Sequence, residues 1–140
     1  MVVIDANGAV VGRLGARVAK LLLAGQPVEI VNADKAVMLG SLSAAKEKYL
    51  SRRSQKNKRN PEESPHWPRS PHLLLRRMIR GMLPHKSKRG RDAYHLLKVS
   101  QGAPEGAKAT AIKEASSASK HGMFTLTELG QSLGHYPKVR

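Results

Sequence analysis

Short β-branched runs and a helical pattern alternate at the start of the chain. Residues 2–4 (VVI) and Val28–Val31 are apolar runs too short for a helix, so each predicts a buried strand. Residues 12–24 between them carry apolar positions at helical spacing, and Gly25 follows where a helix typically ends. These apolar positions are Leu14, Val18, Leu21 and Leu22. A strand, a helix and a second strand this close together predict a βαβ unit with a parallel sheet and a right-handed crossover.

A third strand and a second helix are predicted after this unit. Val37–Leu39 is another short apolar run, and Gly40 follows it. Ser43 is placed to cap a helix that runs to about Arg53. The side chains of this helix that are expected to face inward are Leu42, Ala45 and Tyr49.

The composition changes in residues 54–71. This stretch holds four of the eight prolines and one large apolar side chain, Trp67. Such a segment cannot form a core of its own. We expect residues 54–70 to be an extended, Pro-rich, basic arm within a single domain of residues 1–140, ordered only where it lies on a partner.

Ser70 followed by Pro71 predicts the start of a third helix, which runs to about Arg80. Gly81 and Pro84 are expected to end it. One side of the helix is a wide apolar arc, and the other side is basic. The arc contains Leu74, Leu75, Met78, Ile79 and Met82, and the basic side contains Arg76, Arg77 and Arg80.

The remaining third of the chain has weaker patterns. His85–Arg91 is expected to be a basic loop, and Arg91–Leu97 a short helix. Residues 102–106 form a predicted turn, and residues 107–120 indicate no particular element. Met123–Phe124 is interpreted as an edge strand. Thr125 is then placed to cap a last helix through Leu133, which Gly134 ends.

The amino-acid composition excludes more classes of function than the pattern of apolar and polar positions does. The 140 residues carry 25 Lys and Arg against 10 Asp and Glu, a net charge of +15, and no cysteine. Without cysteine there is no disulfide framework, Cys-ligated zinc site, iron–sulfur cluster or thiol nucleophile. No apolar run has membrane-spanning length, and the N-terminus lacks the features of a signal peptide. The charge therefore indicates an intracellular polyanionic partner, most simply nucleic acid, although a merely solubilising surface is the alternative.

The excess charge is concentrated in the middle of the chain. Residues 46–98 hold +12 of the +15. Neighbouring cations that release counterions together are what binding to a phosphate backbone requires. The candidate phosphate-binding residues are Arg13, Arg52, Arg53, Lys56, Lys58, Arg59, Arg69, Arg76, Arg77, Arg80, His85, Lys86, Lys88, Arg89 and Arg91.

Other kinds of site are less well supported. The spacing of Gly8, Gly12 and Gly15 departs from the dinucleotide pattern, so these glycines are expected to shape the turn and let the helix approach the sheet. Asp34 follows these glycines by about twenty residues, the spacing at which a dinucleotide fold has its ribose-binding acid. The six histidines form no metal-binding spacing, and the scattered carboxylates suggest no acid–base pair. We therefore expect no catalytic residue, metal or cofactor.

Aromatic residues indicate which kind of nucleic acid is bound. The chain has only five, which do not interleave with the basic run: Tyr49, Trp67, Tyr94, Phe124 and Tyr136. A base-stacking platform needs a concentrated aromatic face. The pattern instead favours a folded RNA that is recognised by its shape and its phosphates.

Residues 80–91 (RGMLPHKSKRGR), followed by residues 96–99 (LLKV) and Gly102, closely resemble the signature of the universal large-subunit ribosomal protein L13 family. Asn60–Pro61 and residues 69–71 (RSP) resemble its archaeal and eukaryotic type. The resemblance covers roughly residues 3–104. Earlier motifs that agree with it are residues 4–6 (IDA), 12–14 (GRL) and 31–37 (VNADKAV).

The resemblance implies a three-layer α/β/α fold around a small parallel sheet of about four strands. It also implies a structural role on large-subunit rRNA beside neighbouring ribosomal proteins, without a small-molecule substrate or a membrane. The basic motif residues Arg80, His85, Lys86, Lys88, Arg89 and Arg91 are expected at the RNA surface. Glu62 and Glu63 depart from the family's basic pattern, so we expect them to be exposed or paired with Arg59 or Arg69. The alternatives are an extra-ribosomal regulator that binds mRNA and a nucleotide-binding enzyme built on the βαβ unit.

Overall fold

A computed structural model describes residues 1–103, 109–111, 115 and 122–136. Within these residues the strands are β1 (Val2–Asp5), β2 (Val28–Val31), β3 (Val37–Leu39), β4 (Leu97–Val99), β5 (Thr110–Ala111) and β6 (Met123–Thr125). The helices are α1 (Val11–Leu23), α2 (Leu42–Ser54), α3 (Pro71–Met82), α4 (Lys88–His95) and α5 (Leu126–Ser132). Short 3-10 turns lie at Ala33–Lys35 and Pro61–Glu63.

Four parallel strands form the main sheet in the order β4-β2-β1-β5. Val2 is in register with Val28, and Val28 is in register with Leu97 on its other side. The predicted α/β class, the parallel β1–β2 pair and a small four-stranded sheet are confirmed. The predicted helix Arg91–Leu97 is wrong at its end, because Leu97 begins strand β4 rather than closing a helix.

The strands β3 and β6 form a separate antiparallel pair in which Val37 lies opposite Thr125. This confirms both predicted strands. An isolated parallel bridge between Val10 and Val37 connects the pair to the start of α1. The sequence of residues 107–120 predicted no particular element. Of these residues the structure describes 109–111 and 115, and Thr110–Ala111 form β5. The end of the predicted turn 102–106 lies outside the described residues, and Gly102 has a φ of +71°.

The core lies where the apolar stripes of the helices meet the sheet. The fully buried side chains include Ile4 and Ile30 of the sheet, Leu14 and Leu22 of α1, and Leu75 of α3. Gly25 has a φ of +82°, and the amides of Gly25 and Gln26 donate to the carbonyls of Leu22 and Leu21. This is a Schellman motif, so the predicted stop of α1 at Gly25 is confirmed.

Several helix boundaries differ from those predicted. The helix α2 begins at Leu42 with Ser41 at its N-cap, and Ser43 is an exposed residue inside the helix. Gly81 lies within α3 instead of ending it. The helix α4 begins at Lys88, so only the first part of the predicted loop His85–Arg91 is a loop.

Gly15 allows a close contact between two helices, not between a helix and the sheet as predicted. A Cβ at this position would lie 2.6 Å from the Met82 Sδ and 3.6 Å from a side-chain carbon of Ile79. Both of these residues belong to α3. A side chain at position 15 would therefore require the end of the Met82 side chain to move.

Thr125 caps helix α5 as predicted, and it does so through a capping box with Glu128. The Thr125 hydroxyl accepts from the Glu128 amide at 3.2 Å, and the Glu128 carboxylate accepts from the Thr125 amide at 3.0 Å. Gly134, with a φ of +87°, follows the helix.

Replacing Thr125 with Ala is expected to lower the free energy of unfolding by about 1 kcal/mol, because the Glu128 amide loses its acceptor. Ser41 supplies the matched control, since its side chain makes no capping hydrogen bond. Ser41→Ala is expected to change the free energy of unfolding by less than about 0.5 kcal/mol. Denaturant titration of both variants measures the difference, and equal losses would contradict the assigned role of the Thr125 hydroxyl.

Candidate nucleic-acid interface

The segment between α2 and α3 folds back on itself at Ser64 and contacts the body of the protein at Trp67. Ser64 is buried, and its hydroxyl accepts from the Asn57 amide at 2.9 Å. Trp67 is half-buried and packs against the hydrophobic core. Trp67 therefore contacts the chain's own core, whereas the hydrogen bond of Ser64 stays within the segment; that the arm is ordered only on a partner stays a prediction. Apart from the turn Pro61–Glu63, residues 55–70 have no regular structure.

Trp67 is the centre of a cluster of rings and cations that joins α2 to α3. Its ring centroid lies 5.9 Å from that of Tyr49 in an edge-to-face arrangement. The guanidinium carbons of Arg52 and Arg77 lie 4.8 Å and 4.4 Å from the Trp67 centroid. Arg53 donates to the Trp67 carbonyl. Contacts of these kinds hold cations in place without neutralising them.

A second cluster of this kind lies between α3 and α4. The Arg76 guanidinium carbon is 4.9 Å from the centroid of Tyr94, which meets His85 edge-to-face at 5.7 Å. The Arg80 Nη2 donates to His85 Nδ1 at 3.3 Å, since a guanidinium has no acceptor. Partial burial lowers the pKa of the His85 imidazole, and the nearby Arg80, Arg91 and His95 lower that pKa further.

A compact turn presents the basic residues between α3 and α4. The Pro84 carbonyl accepts from the Ser87 amide at 3.0 Å and from the Ser87 hydroxyl at 2.8 Å. The same hydroxyl accepts from the Gly90 amide and so caps α4. Lys86, Lys88 and Arg91 all remain exposed on this turn and the first turn of α4.

A groove of about 670 Å³ lies between the two clusters. Its walls include the Trp67 ring and the turn at Pro84. The basic side chains that line it are Arg77, Arg80, His85 and Lys86. None of its lining residues is acidic, so the groove is a concave site that favours an anion.

Few carboxylates lie near these cations in the part of the chain that the structure describes. Glu62 and Glu63 are exposed, as one of the two expectations had it, and they form no ion pair with Arg59 or Arg69. The ion pair recorded between described residues joins Glu29 to Lys98, at 3.8 Å, on neighbouring strands of the sheet. Among the described residues, the cations of α3 and α4 therefore form no ion pair with a carboxylate.

The predicted site residues do not all lie together. Arg52, Arg53, Arg76, Arg77, Arg80, His85 and Lys86 form the two clusters and the groove. Arg89 points elsewhere, because its Nη2 donates to the carbonyl of Leu23 at the end of α1, 3.3 Å away. Arg13 lies on the exposed side of α1. The other predicted residues are exposed on residues 55–70 and α4, namely Lys56, Lys58, Arg59, Arg69, Lys88 and Arg91.

Sequence reasoning missed the part that aromatic rings play in this surface. Trp67 and Tyr94 each lie against an arginine, although neither was a candidate site residue. The available signal was Trp67 itself, the one large apolar side chain in a stretch of prolines and polar residues. A lone aromatic in such a segment indicates a point where the segment is anchored.

A model of the family described as ribosomal protein L13 matches residues 1–106. The chain belongs to the ribosomal protein L13 family. It is 43% identical over 135 residues to the large ribosomal subunit protein uL13 of Methanococcus maripaludis, an alignment that covers 96% of this chain and 98% of the relative. It is 40% identical over 136 residues to that of Methanocaldococcus jannaschii, with 96% and 98% covered. With that of Methanococcoides burtonii it is 48% identical over 104 residues, with 74% and 73% covered.

These comparisons confirm the resemblance and extend it. The relatives are archaeal, in agreement with the type expected from residues 60–61 and 69–71. The family match includes every residue of the candidate interface, from Arg13 to Arg91. Two of the relatives align with nearly the whole chain, although the motif resemblance ended near residue 104.

In this L13 family member the carboxylates of Asp5 and Asp34 hydrogen-bond to other groups of the chain. The Asp34 carboxylate, the candidate ribose ligand, accepts from the Gly102 amide at 3.3 Å. The Asp5 carboxylate accepts from the amide of Asn7 and from the side chain of Asn32. Among the described residues no cluster of three or more His, Cys, Asp or Glu is placed to hold a metal ion. Nor does any helix in those residues have the length and apolar character needed to cross a membrane.

Proposed function

We propose that this L13 family member is a structural constituent of the large ribosomal subunit and binds its rRNA through phosphate and shape contacts. The observation that carries the proposal is the surface of α3, α4 and residues 52–70, where cations crowd together with few acids. Relatives that align over nearly the full chain are named large ribosomal subunit proteins. The proposed location is the ribosome, beside neighbouring ribosomal proteins, with no catalysis, cofactor or small-molecule substrate.

The two ring clusters support phosphate binding because they lower the side-chain entropy that the arginines lose when RNA binds. A free arginine side chain loses up to about 2 kcal/mol of rotamer freedom when it is fixed. Arg52, Arg76 and Arg77 are already held against aromatic rings. Binding RNA would therefore cost these side chains less entropy, while their charges stay available to phosphates.

The exposed Glu62 and Glu63 separate two basic parts of the segment between α2 and α3. Two carboxylates on the turn Pro61–Glu63 would repel a phosphate backbone, so this turn is expected to face away from the RNA. Lys56, Lys58 and Arg59 precede the turn and Arg69 follows it, and all four are exposed. The RNA would then contact the two ends of the segment rather than its middle.

Sedimentation of a cell lysate on a sucrose gradient tests the proposed function. The chain is expected to cofractionate with the large subunit and to remain there after a moderate salt wash. A subunit constituent with many phosphate contacts dissociates only at higher salt. Recovery only in the light, ribosome-free fractions would contradict the proposal.

RNA affinity is expected to rise as the pH falls below the usual histidine pKa of about 6.5. In the free protein, partial burial and then Arg80 and Arg91 lower the pKa of His85. A bound phosphate would offset those cations and raise this pKa, so binding takes up a proton and is favoured at lower pH.

Titrating a labelled RNA at several pH values measures this effect. His85→Asn is expected to flatten the pH profile, whereas His135→Asn, a change outside the groove, is expected to leave it unchanged. Identical profiles for His85→Asn and the parent protein would show that His85 does not meet the phosphate.

A further inference from the structure

We propose that the groove between Trp67 and Lys86 holds one unpaired nucleotide of the bound RNA. Its base would stack on the Arg77 guanidinium, which itself lies over the Trp67 ring, and its phosphate would lie beside Arg80 and Lys86. This inference rests on the proposed function for the identity of the ligand as RNA. It adds a site that recognises a base, whereas phosphate contacts alone carry no information about sequence or pairing.

The size and openness of the groove suit a single nucleotide. Its volume of about 670 Å³ lies within the range of roughly 300–1,000 Å³ that is common for sites that bind small molecules. A paired base inside a helix has both faces covered by its neighbours. Only an unpaired base, which can leave the stack, offers a free face to a protein ring.

One wall of the groove is the Arg77 guanidinium, stacked on the Trp67 ring, and hydrogen bonds hold both residues in place. The Arg77 guanidinium carbon lies 4.4 Å from the Trp67 centroid, and the Arg77 Nη1 donates to the His66 carbonyl at 3.3 Å. Arg53 holds the Trp67 backbone through its carbonyl. RNA bases stack on aromatic rings and on guanidinium planes alike. The wall is therefore prepared for a base before the RNA binds.

The opposite side of the groove supplies charge. Arg80 and Lys86 line it, and in the free protein the hydrogen bond from Arg80 to His85 Nδ1 positions the guanidinium. Pro84 and Leu83 add an apolar surface between the wall and the cations. An inorganic anion would need only the cations. The flat wall next to them favours a ligand that carries both a phosphate and an aromatic base.

Tryptophan fluorescence gives a direct test, because Trp67 is the only tryptophan in the chain. The probes are two RNA hairpins of equal length and charge, one fully paired and one with a single unpaired nucleotide in its stem. The hairpin with the unpaired nucleotide is expected to quench Trp67 strongly and to bind about tenfold more tightly, the usual effect of stacking one base. The paired hairpin is expected to bind through its phosphates with little quenching.

The outcomes separate this inference from the proposed function. If both hairpins bind with equal affinity and equal quenching, the groove does not recognise a base, and only this inference is overturned. If neither hairpin binds at low salt, RNA binding itself fails, and the proposed function fails with it.

Two substitutions locate the effect in the groove, with labelled RNA as the readout. Trp67→Leu is expected to abolish the preference for the unpaired nucleotide, whereas Trp67→Phe is expected to keep most of it. Arg77→Lys keeps the charge but removes the plane, so it tests the wall even if Trp67→Leu fails to fold. The matched control is Arg69→Lys on the same segment, which is expected to keep the preference. An unchanged preference in Arg77→Lys and Trp67→Leu would overturn the inference.

Discussion

Replacing Lys86, Lys88 and Arg91 together with Ala is expected to weaken binding to large-subunit rRNA at least about tenfold. These three side chains are exposed on the turn between α3 and α4, and no described carboxylate pairs with them. With fewer phosphate contacts, binding of the variant also releases fewer counterions from the RNA. The slope of log affinity against log salt concentration is therefore expected to become less negative by roughly 2 to 3.

The control is the triple substitution of Arg17, Lys20 and Lys35, which removes the same charge from exposed positions outside the proposed interface. It is expected to change the salt slope by much less. Arg89 is left intact in both variants, because its hydrogen bond to the Leu23 carbonyl ties α4 to α1. Filter binding at several salt concentrations measures both slopes. Equal losses in the two variants would mean that the RNA senses total charge and not this surface.

The sequence predicted those elements whose residues carry their own periodic signal. The helix α1 has a buried stripe that includes Leu14, Val18 and Leu22, and a glycine at its end. The strands β1 and β2 are short, largely apolar runs that place Ile4 and Ile30 in the core. In these elements local pattern and tertiary packing favour the same structure, so reading the pattern was sufficient.

The strands β4 and β5 could not be predicted in this way, because their pairing partners decide them. Leu97 continued a helical spacing with Ala93, yet it forms a strand next to Val28. The strand β5 has only two residues, and it pairs with Ile4 and Asp5 at the other edge of β1. A strand this short has no periodicity of its own and forms because an edge of the sheet is available.

The candidate site likewise has one part that the sequence predicted and one part that depends on tertiary contacts. Charge is a property of single residues, so the position of the basic surface followed from counting. The contacts of Trp67 with Tyr49 on α2 and with Arg77 on α3 join residues that no local spacing relates. The same limit applies to Arg89, since a list of cations does not distinguish one that meets a partner from one that binds the chain's own carbonyl.

Gly90→Ala is expected to lower the free energy of unfolding by about 3 kcal/mol, the largest loss foreseen for a single methyl group in this chain. A Cβ at Gly90 would overlap the carbonyl group of Pro84 and would lie 3.0 Å from the His85 amide nitrogen. Both are backbone atoms, and the Pro84 carbonyl is already held by two hydrogen bonds from Ser87. No side-chain rotation relieves the overlap, so α4 must move away from the turn.

Gly81→Ala supplies the control, because a Cβ at that position in α3 meets nothing within 4 Å. It is expected to raise the free energy of unfolding by about 0.5–1 kcal/mol, since alanine favours a helix. Denaturant titration compares the two variants, and a Gly90→Ala protein as stable as the parent would show that α4 tolerates the shift. Because Lys88 and Arg91 move with α4, Gly90→Ala is also expected to weaken RNA binding although no charge is removed. The basic run of residues 80–91 therefore needs Gly90 for position as much as its cations for charge.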